Sequence, residues 1–142
     1  MIVPDANLLL YANVKAFREH DRARTWWEAL LNGDAEVGLA GPAVFGFIRV
    51  ATNPRVLDPP MRVEDALAMV ETWLGQPQVR FLLPGPRHLD IAFGLLRRVG
   101  AATNLTTDAQ LAALAIEFQG ELHSNDTDFG RFPGLSWVNP IR

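Results

Sequence analysis

The sequence predicts an α/β fold, a three-layer α/β/α sandwich around a short-stranded, mainly parallel sheet. Short apolar runs alternate with longer segments whose apolar residues repeat at helical spacing. Strands that alternate with helices join through right-handed crossovers into a parallel sheet covered on both faces. The 142 residues carry no linker, internal repeat or low-complexity tract, so 1–142 is read as a single domain.

Residues 1–4 form the first short strand, and Ala6–Asn13 the first helix. Pro4 conflicts with a central strand but is tolerated at its end, where Asp5 starts the loop. Residues 19–32 repeat apolar side chains at helical spacing and stop at Gly33. A strand over 36–40 leads to Pro42, which can open a helix running 43–52 and halted by Asn53-Pro54. After the Asp58-Pro59-Pro60 loop, Val63–Leu74 is helical and ends at Gly75. Residues 79–83 are a strand and 86–99 a helix, stopped by Gly100. The chain finishes with a helix over 108–119, a strand over 121–124 and a last strand over 135–138.

Composition narrows the function classes. Hydrophobic residues make up 49% and charged residues 20%, ordinary for a globular chain, and no apolar run has a membrane-spanning length. The N-terminus lacks a basic start followed by an apolar core, so a cytoplasmic protein is expected. With no cysteine there is no disulfide and no thiolate zinc site. The net charge of −3 does not advertise bulk nucleic-acid binding.

Four aspartates stand at predicted edges between strand and helix or loop: Asp5, Asp108, Asp126 and Asp128. Ligands of open parallel sheets sit outside the carboxyl ends of strands, where Asp5 lies directly. From Asp108 a helix travels roughly 16–18 Å at about 1.5 Å per residue. Strand 121–124 and the next residue or two return roughly 15 Å at about 3.3 Å per residue, so Asp126 and Asp128 come back near Asp108. Packed carboxylates raise one another's pKa values unless a cation neutralises them. Oxygen ligands with no histidine or cysteine beside them suit Mg²⁺ or Mn²⁺, ions able to activate a water against a phosphodiester. One ion needs two or three of these acids, two ions all four.

Each residue also has a bland reading. Asp108 alone would be a dipole partner at a helix start, with Thr106 or Thr107 as cap, and Asp5 a cap for the first helix. Asp126-Thr127-Asp128 alone would be a turn. Arg49 and Arg55 bracket a helix end, where a surface ion pair competes with a phosphate contact. His20 and His88 belong to helix starts, and His123 more often packs half-buried in a strand. The tryptophans do not interleave with basic residues, so they are assigned to packing. Asp126-x-Asp128-x-Gly130 is no calcium loop, because Trp137 occupies its twelfth position.

Four stretches in register resemble the PIN-domain ribonucleases of the VapC toxin type. They are Val-Pro-Asp-Ala-Asn-Leu-Leu-Leu-Tyr-Ala (3–12), Phe-Ile-Arg-Val-Ala-Thr-Asn-Pro-Arg-Val (47–56), Thr-Asn-Leu-Thr-Thr-Asp-Ala-Gln-Leu-Ala-Ala-Leu-Ala (103–115) and His-Ser-Asn-Asp-Thr-Asp-Phe-Gly-Arg-Phe-Pro-Gly-Leu (123–135). The resemblance implies a Mg²⁺- or Mn²⁺-dependent endoribonuclease that acts on RNA, is neutralised by a cognate antitoxin protein and forms a homodimer. By position, Asp5 matches the family's first acid, Asp108 the third and Asp126 the fourth, with Asp128 an accessory acid. Asp5, Asp108 and Asp126 are thus the expected metal ligands, and all four aspartates the expected catalytic set. Asn7, Thr107 and Arg49 are expected to support the acids or position substrate. One departure stands out: many members carry a glutamate on the third helix, where this chain has Gly46 and no acid from Pro42 to Arg55. That leaves the metal count open.

Two other classes compete. A phosphoaspartyl enzyme with Asp5 as nucleophile would want an aspartate where Asn7 stands, and a lysine that Lys15, the chain's only one, is badly placed to supply. A binding module without catalysis would use the same fold for protein association.

Overall fold

A computed structural model describes residues 1–100 and 105–142. Thr103 and Asn104, which open the third resembling stretch, lie outside the described residues. The elements run β1 (Ile2–Pro4), α1 (Ala6–Asn13), α2 (His20–Leu31), β2 (Val37–Ala40), α3 (Gly41–Ala51), α4 (Val63–Leu74), β3 (Val79–Leu82), α5 (His88–Val99), α6 (Thr106–Glu117), β4 (Glu121–His123), a 3₁₀ turn (Thr127–Arg131) and β5 (Trp137–Val138). The sheet order is β3-β2-β1-β4-β5, with every described pairing parallel. Chain direction across the sheet reverses between β1 and β4. That seam is the topological switch point, where open α/β sheets place their ligands.

Helix α1 packs on α2 and α3, α3 on α4, and α5 on α6, with α3 also meeting α6. Central strands β1, β2 and β4 bury Val3, Val37, Leu39 and Leu122 completely, as expected of strands covered on both faces. Pro4 closes β1 opposite His123, and the ladder continues past it through Asp5 N–H donating to the His123 carbonyl at 2.9 Å. An aromatic column fills the space under α2, α3 and α4. Trp27 meets Trp73 edge-on at 5.4 Å, and Trp73 meets Phe47 at 5.0 Å between centroids.

Several boundaries differ from the sequence expectation for physical reasons. Helix α3 starts at Gly41 with Pro42 inside its first turn, where the missing N–H costs nothing. Helix α5 starts at His88, two residues beyond Pro86, because the Glu117 carboxylate of α6 accepts from Gly85 N–H at 2.8 Å and Arg87 N–H at 3.0 Å. Those amides are committed to a side chain before the helix begins. Helix α6 starts at Thr106 with Leu105 at its N-cap and no side-chain cap bond there, so Asp108 sits inside the first turn.

Candidate metal centre

The site grows from the β1–β4 seam. Asp5 follows the last residue of β1 and caps α1, accepting from Ala6 N–H at 2.7 Å through Oδ1. Its other oxygen, Oδ2, accepts from the Ser124 hydroxyl at 2.7 Å. The cap reading therefore holds, and the same residue stands at the carboxyl end of β1. Each carboxylate oxygen has two lone pairs, so these two bonds leave acceptor capacity on both. Ser124 is fully buried and accepts in turn from Asp126 N–H at 3.0 Å. One hydroxyl thus joins the side chain of the first acid to the backbone of the fourth.

Beyond Ser124 the chain makes the expected turn. Asp126 caps the 3₁₀ segment, its Oδ1 accepting from Asp128 N–H at 2.9 Å. That bond turns the two carboxylates to one side of a short loop. Asp108 meets them from α6: oxygens of Asp108, Asp126 and Asp128 lie within 4.8 Å of one another, a group that takes in Asp128 and leaves out Asp5, which shares the cavity wall with Asp108 and Asp126. The donors are all hard oxygens, a set that fits a divalent cation of the magnesium class better than zinc.

Electrostatics carry the same message. The Asp108 carboxyl is pushed up to about 6, first by burial and then by the negative charges of Asp5, Asp126 and Asp128. Burial also raises Asp5; its bonds to Ser124 and Ala6 oppose that shift, and the Asp126 charge adds to it. The phenol of Tyr11 on α1 is raised by burial, eased by Asn125, and raised further by Glu19, Asp5 and Asp126. An uncompensated pile of negative charge is what a bound cation relieves.

A cavity of 280 Å³ opens at this point. Asp5, Asn7, Arg49, Thr107, Asp108 and Asp126 are all on its wall. Asp128 is exposed and joins the group from outside that wall. Gly46 also lines the cavity, and a Cβ there would stand 3.0 Å from Ala6 Cβ. A side chain at this position would need α3 and α1 to give by a few tenths of an ångström, so the missing glutamate goes with a close helix approach. Arg49, one turn on, presents the opposite charge to the space.

Sequence reasoning missed Ser124 and the residue that supports it. Trp137 Nε1 of β5 donates to the Ser124 carbonyl at 2.9 Å. A serine two positions before an aspartate is an ordinary turn signal; only strand register shows that it faces Asp5. His123 points elsewhere. Its Nδ1 accepts from Trp26 Nε1 at 3.0 Å and its Nε2 meets Glu121 Oε1 at 2.7 Å, which assigns the ring proton to Nε2. The side chain is buried in packing rather than half-buried. Arg55 is exposed and absent from the cavity wall. Trp27 and Trp73 are in the core, as assigned.

A larger groove of 760 Å³ between α2 and α4 holds Lys15, His20, Glu28 and Asp65. Size does not make it the reactive centre, since no three of its acidic or histidine side chains group at ligand distance. Lys15 lies there and not at the acid cavity. The phosphoaspartyl alternative thereby lacks its lysine as well as its second aspartate.

The PIN-domain family profile matches residues 2–135. Ribonuclease VapC33 of Mycobacterium tuberculosis is 55% identical over 142 residues, covering 100% of this chain and 99% of the relative. Ribonuclease VapC37 of the same organism is 39% identical, covering 99% and 97%. Among solved structures, VapBC2 from Rickettsia felis, bound to a DNA fragment from its promoter, superposes with a TM-score of 0.71 at 17% identity, covering 98% of each chain. VapC20 of Mycobacterium tuberculosis, described as a sarcin-ricin loop cleaving toxin, gives 0.71 at 16% identity over 96% and 99%. At those identities the structural likeness speaks for the fold.

Proposed function

Since the chain belongs to the PIN-domain family, we propose that it is the toxin of a toxin–antitoxin pair and cleaves RNA phosphodiester bonds as a metal-dependent endoribonuclease. The observation that carries this reading is the meeting of Asp108, Asp126 and Asp128 within 4.8 Å beside the buried Asp5. Asp5, Asp108 and Asp126 would hold Mg²⁺ or Mn²⁺, with Asp128 completing the shell or orienting the attacking water. Such an ion supplies a polarised phosphoryl oxygen and a water acidic enough to attack near neutral pH.

The chain's own residues do the rest. Ser124 holds Asp5 Oδ2 in one orientation, so the carboxylate meets its ligand without first losing rotamer freedom. Asn7 and Thr107 offer hydrogen bonds from the cavity wall, and Arg49 offers a guanidinium to a substrate phosphate. With Gly46 on the wall in place of an acid, one ion is the expected load. Residues 1–142 act as one domain, paired as a homodimer and silenced by a cognate antitoxin in the cytoplasm. No helix among the described residues is long and apolar enough to cross a membrane.

Purified protein given Mn²⁺ or Mg²⁺ should cut a structured RNA, and EDTA should stop it. Asp5→Asn and Asp108→Asn should each lower kcat/KM at least about a hundredfold, or about 2.7 kcal/mol. Cleavage that survives both EDTA and the two substitutions would remove the acid centre from the reaction.

A further inference from the structure

Phe45 is 67% exposed, an unusual position for a large aromatic ring on an otherwise well-packed helix. Its place on α3 gives it meaning. Pro42, Gly46, Arg49 and Val50 of that helix line the acid cavity. At 3.6 residues per turn, Phe45 is rotated about 40° from Arg49 and about 60° from Pro42. The ring is therefore not on the cavity wall; it flanks Arg49 on the side away from Gly46, about 100° round the helix. Residues four apart on a helix are neighbours, with Cβ atoms about 5–6 Å apart.

Arg49 is exposed and takes part in none of the ion pairs among the described residues. A free guanidinium beside a free aromatic face matches the two ends of a nucleotide, its phosphate and its base. We propose that Phe45 is a specificity-determining residue on which an unpaired base next to the cleaved bond stacks while Arg49 takes the neighbouring phosphate. This rests on the ribonuclease reading above and deepens it: the substrate is RNA whose cut site is single-stranded, because a base must leave its helix to reach an aromatic face.

A second copy of the chain is the other possible occupant. Phe81, Leu83, Leu89 and Phe93 are exposed as well, and a Cβ at Gly41 would come within 3.9 Å of the Phe81 ring. A protein surface laid over Phe45 would also cover Arg49 and would need a carboxylate placed at that one point to pair it. RNA brings the counter-charge itself.

The test uses the full chain, Mn²⁺ and a pool of fluorophore-quenched hairpin oligoribonucleotides with randomised loops. Phe45→Ala should raise KM about five- to a hundredfold with a smaller change in kcat, the range expected for loss of one stacked base. Phe45→Trp should restore it. An abasic nucleotide beside the cleaved bond should erase the difference between wild type and Phe45→Ala. A KM within about twofold of wild type for Phe45→Ala would overturn the proposal, and so would a dimer that becomes monomeric on Phe45→Ala in sedimentation. If the wild type cuts no hairpin, the ribonuclease reading fails. Hairpin binding by wild type against Phe45→Ala then still decides the role of Phe45, and equal binding, or none by either, overturns it too.

Discussion

The acid cavity and the aromatic column of Trp27, Trp73 and Phe47 are held by opposite kinds of force. The column is buried and apolar, with rings 5.4 and 5.0 Å apart that gain from area and fit. The cavity gathers carboxylates that repel, restrained by bonds from Ala6 N–H, the Ser124 hydroxyl and Asp128 N–H. One region stabilises the fold under all conditions. The other gathers like charges that a bound cation would relieve, so its behaviour should follow pH and metal while the column's should not.

The largest test is at the column. Phe47→Ala should cost about 3–5 kcal/mol of stability, equally in EDTA and in Mn²⁺ and equally at pH 5 and 8, as read by denaturant melts. A cost that moves by more than about 1 kcal/mol with metal would show that the two regions are coupled. Next comes Ser124→Ala, which deprives Asp5 Oδ2 of a donor and Asp126 N–H of an acceptor. It should cost about 1–3 kcal/mol and weaken Mn²⁺ binding in calorimetry, with Ser124→Thr retaining affinity. Unchanged Mn²⁺ affinity in Ser124→Ala would reduce the hydroxyl to packing.

Asp108→Asn should do the reverse of a core mutation. Without metal it removes one of the repelling charges and should raise the melting temperature by a few degrees at pH 8, with no gain at pH 4. A lower melting temperature at pH 8 would mean the acids are not strained. The smallest effect is the wild type's own pH profile. With its folded pKa raised from 3.8 to about 6, Asp108 keeps its proton in the native state after the unfolded chain has lost it. Asp108's contribution to the stability of the metal-free protein should therefore be full below about pH 4, be lost as pH rises to about 6, and stay absent above. Asp5, raised in the same direction, adds in the same sense. Differential scanning fluorimetry with excess Mn²⁺ should erase the slope.

The two regions were also unequally legible. The α/β alternation could be read because Gly75, Gly100 and Asn53-Pro54 stop their helices where pattern breaks. The sequence assigned Trp27 and Trp73 only to core or dimer packing, and Phe47 joins them from α3 through a contact between distant segments. Chain geometry pointed Asp126 and Asp128 back toward Asp108, since both legs of the excursion have known rise per residue. The rest depended on partners distant in sequence. Ser124 matters because Pro4 pairs with His123, which sets the next residues of both strands side by side. The start of α5 depends on Glu117, thirty-two residues beyond Gly85. Gly46 became meaningful only when its distance to Ala6 was known.

The bond from Ser124 to Asp5 spans 119 positions of the chain. Synthesis proceeds from the N-terminus, and early segments can begin to fold before later ones exist. A nascent chain carries Asp5 for more than a hundred residues before it has the partner hydroxyl, the later acids or β4 to close the seam. The centre cannot assemble until residues 121–128 have been made and have paired with the opening strand. A chain that stops short of β4 therefore holds Asp5 without the hydroxyl and the later acids that surround it in the finished fold.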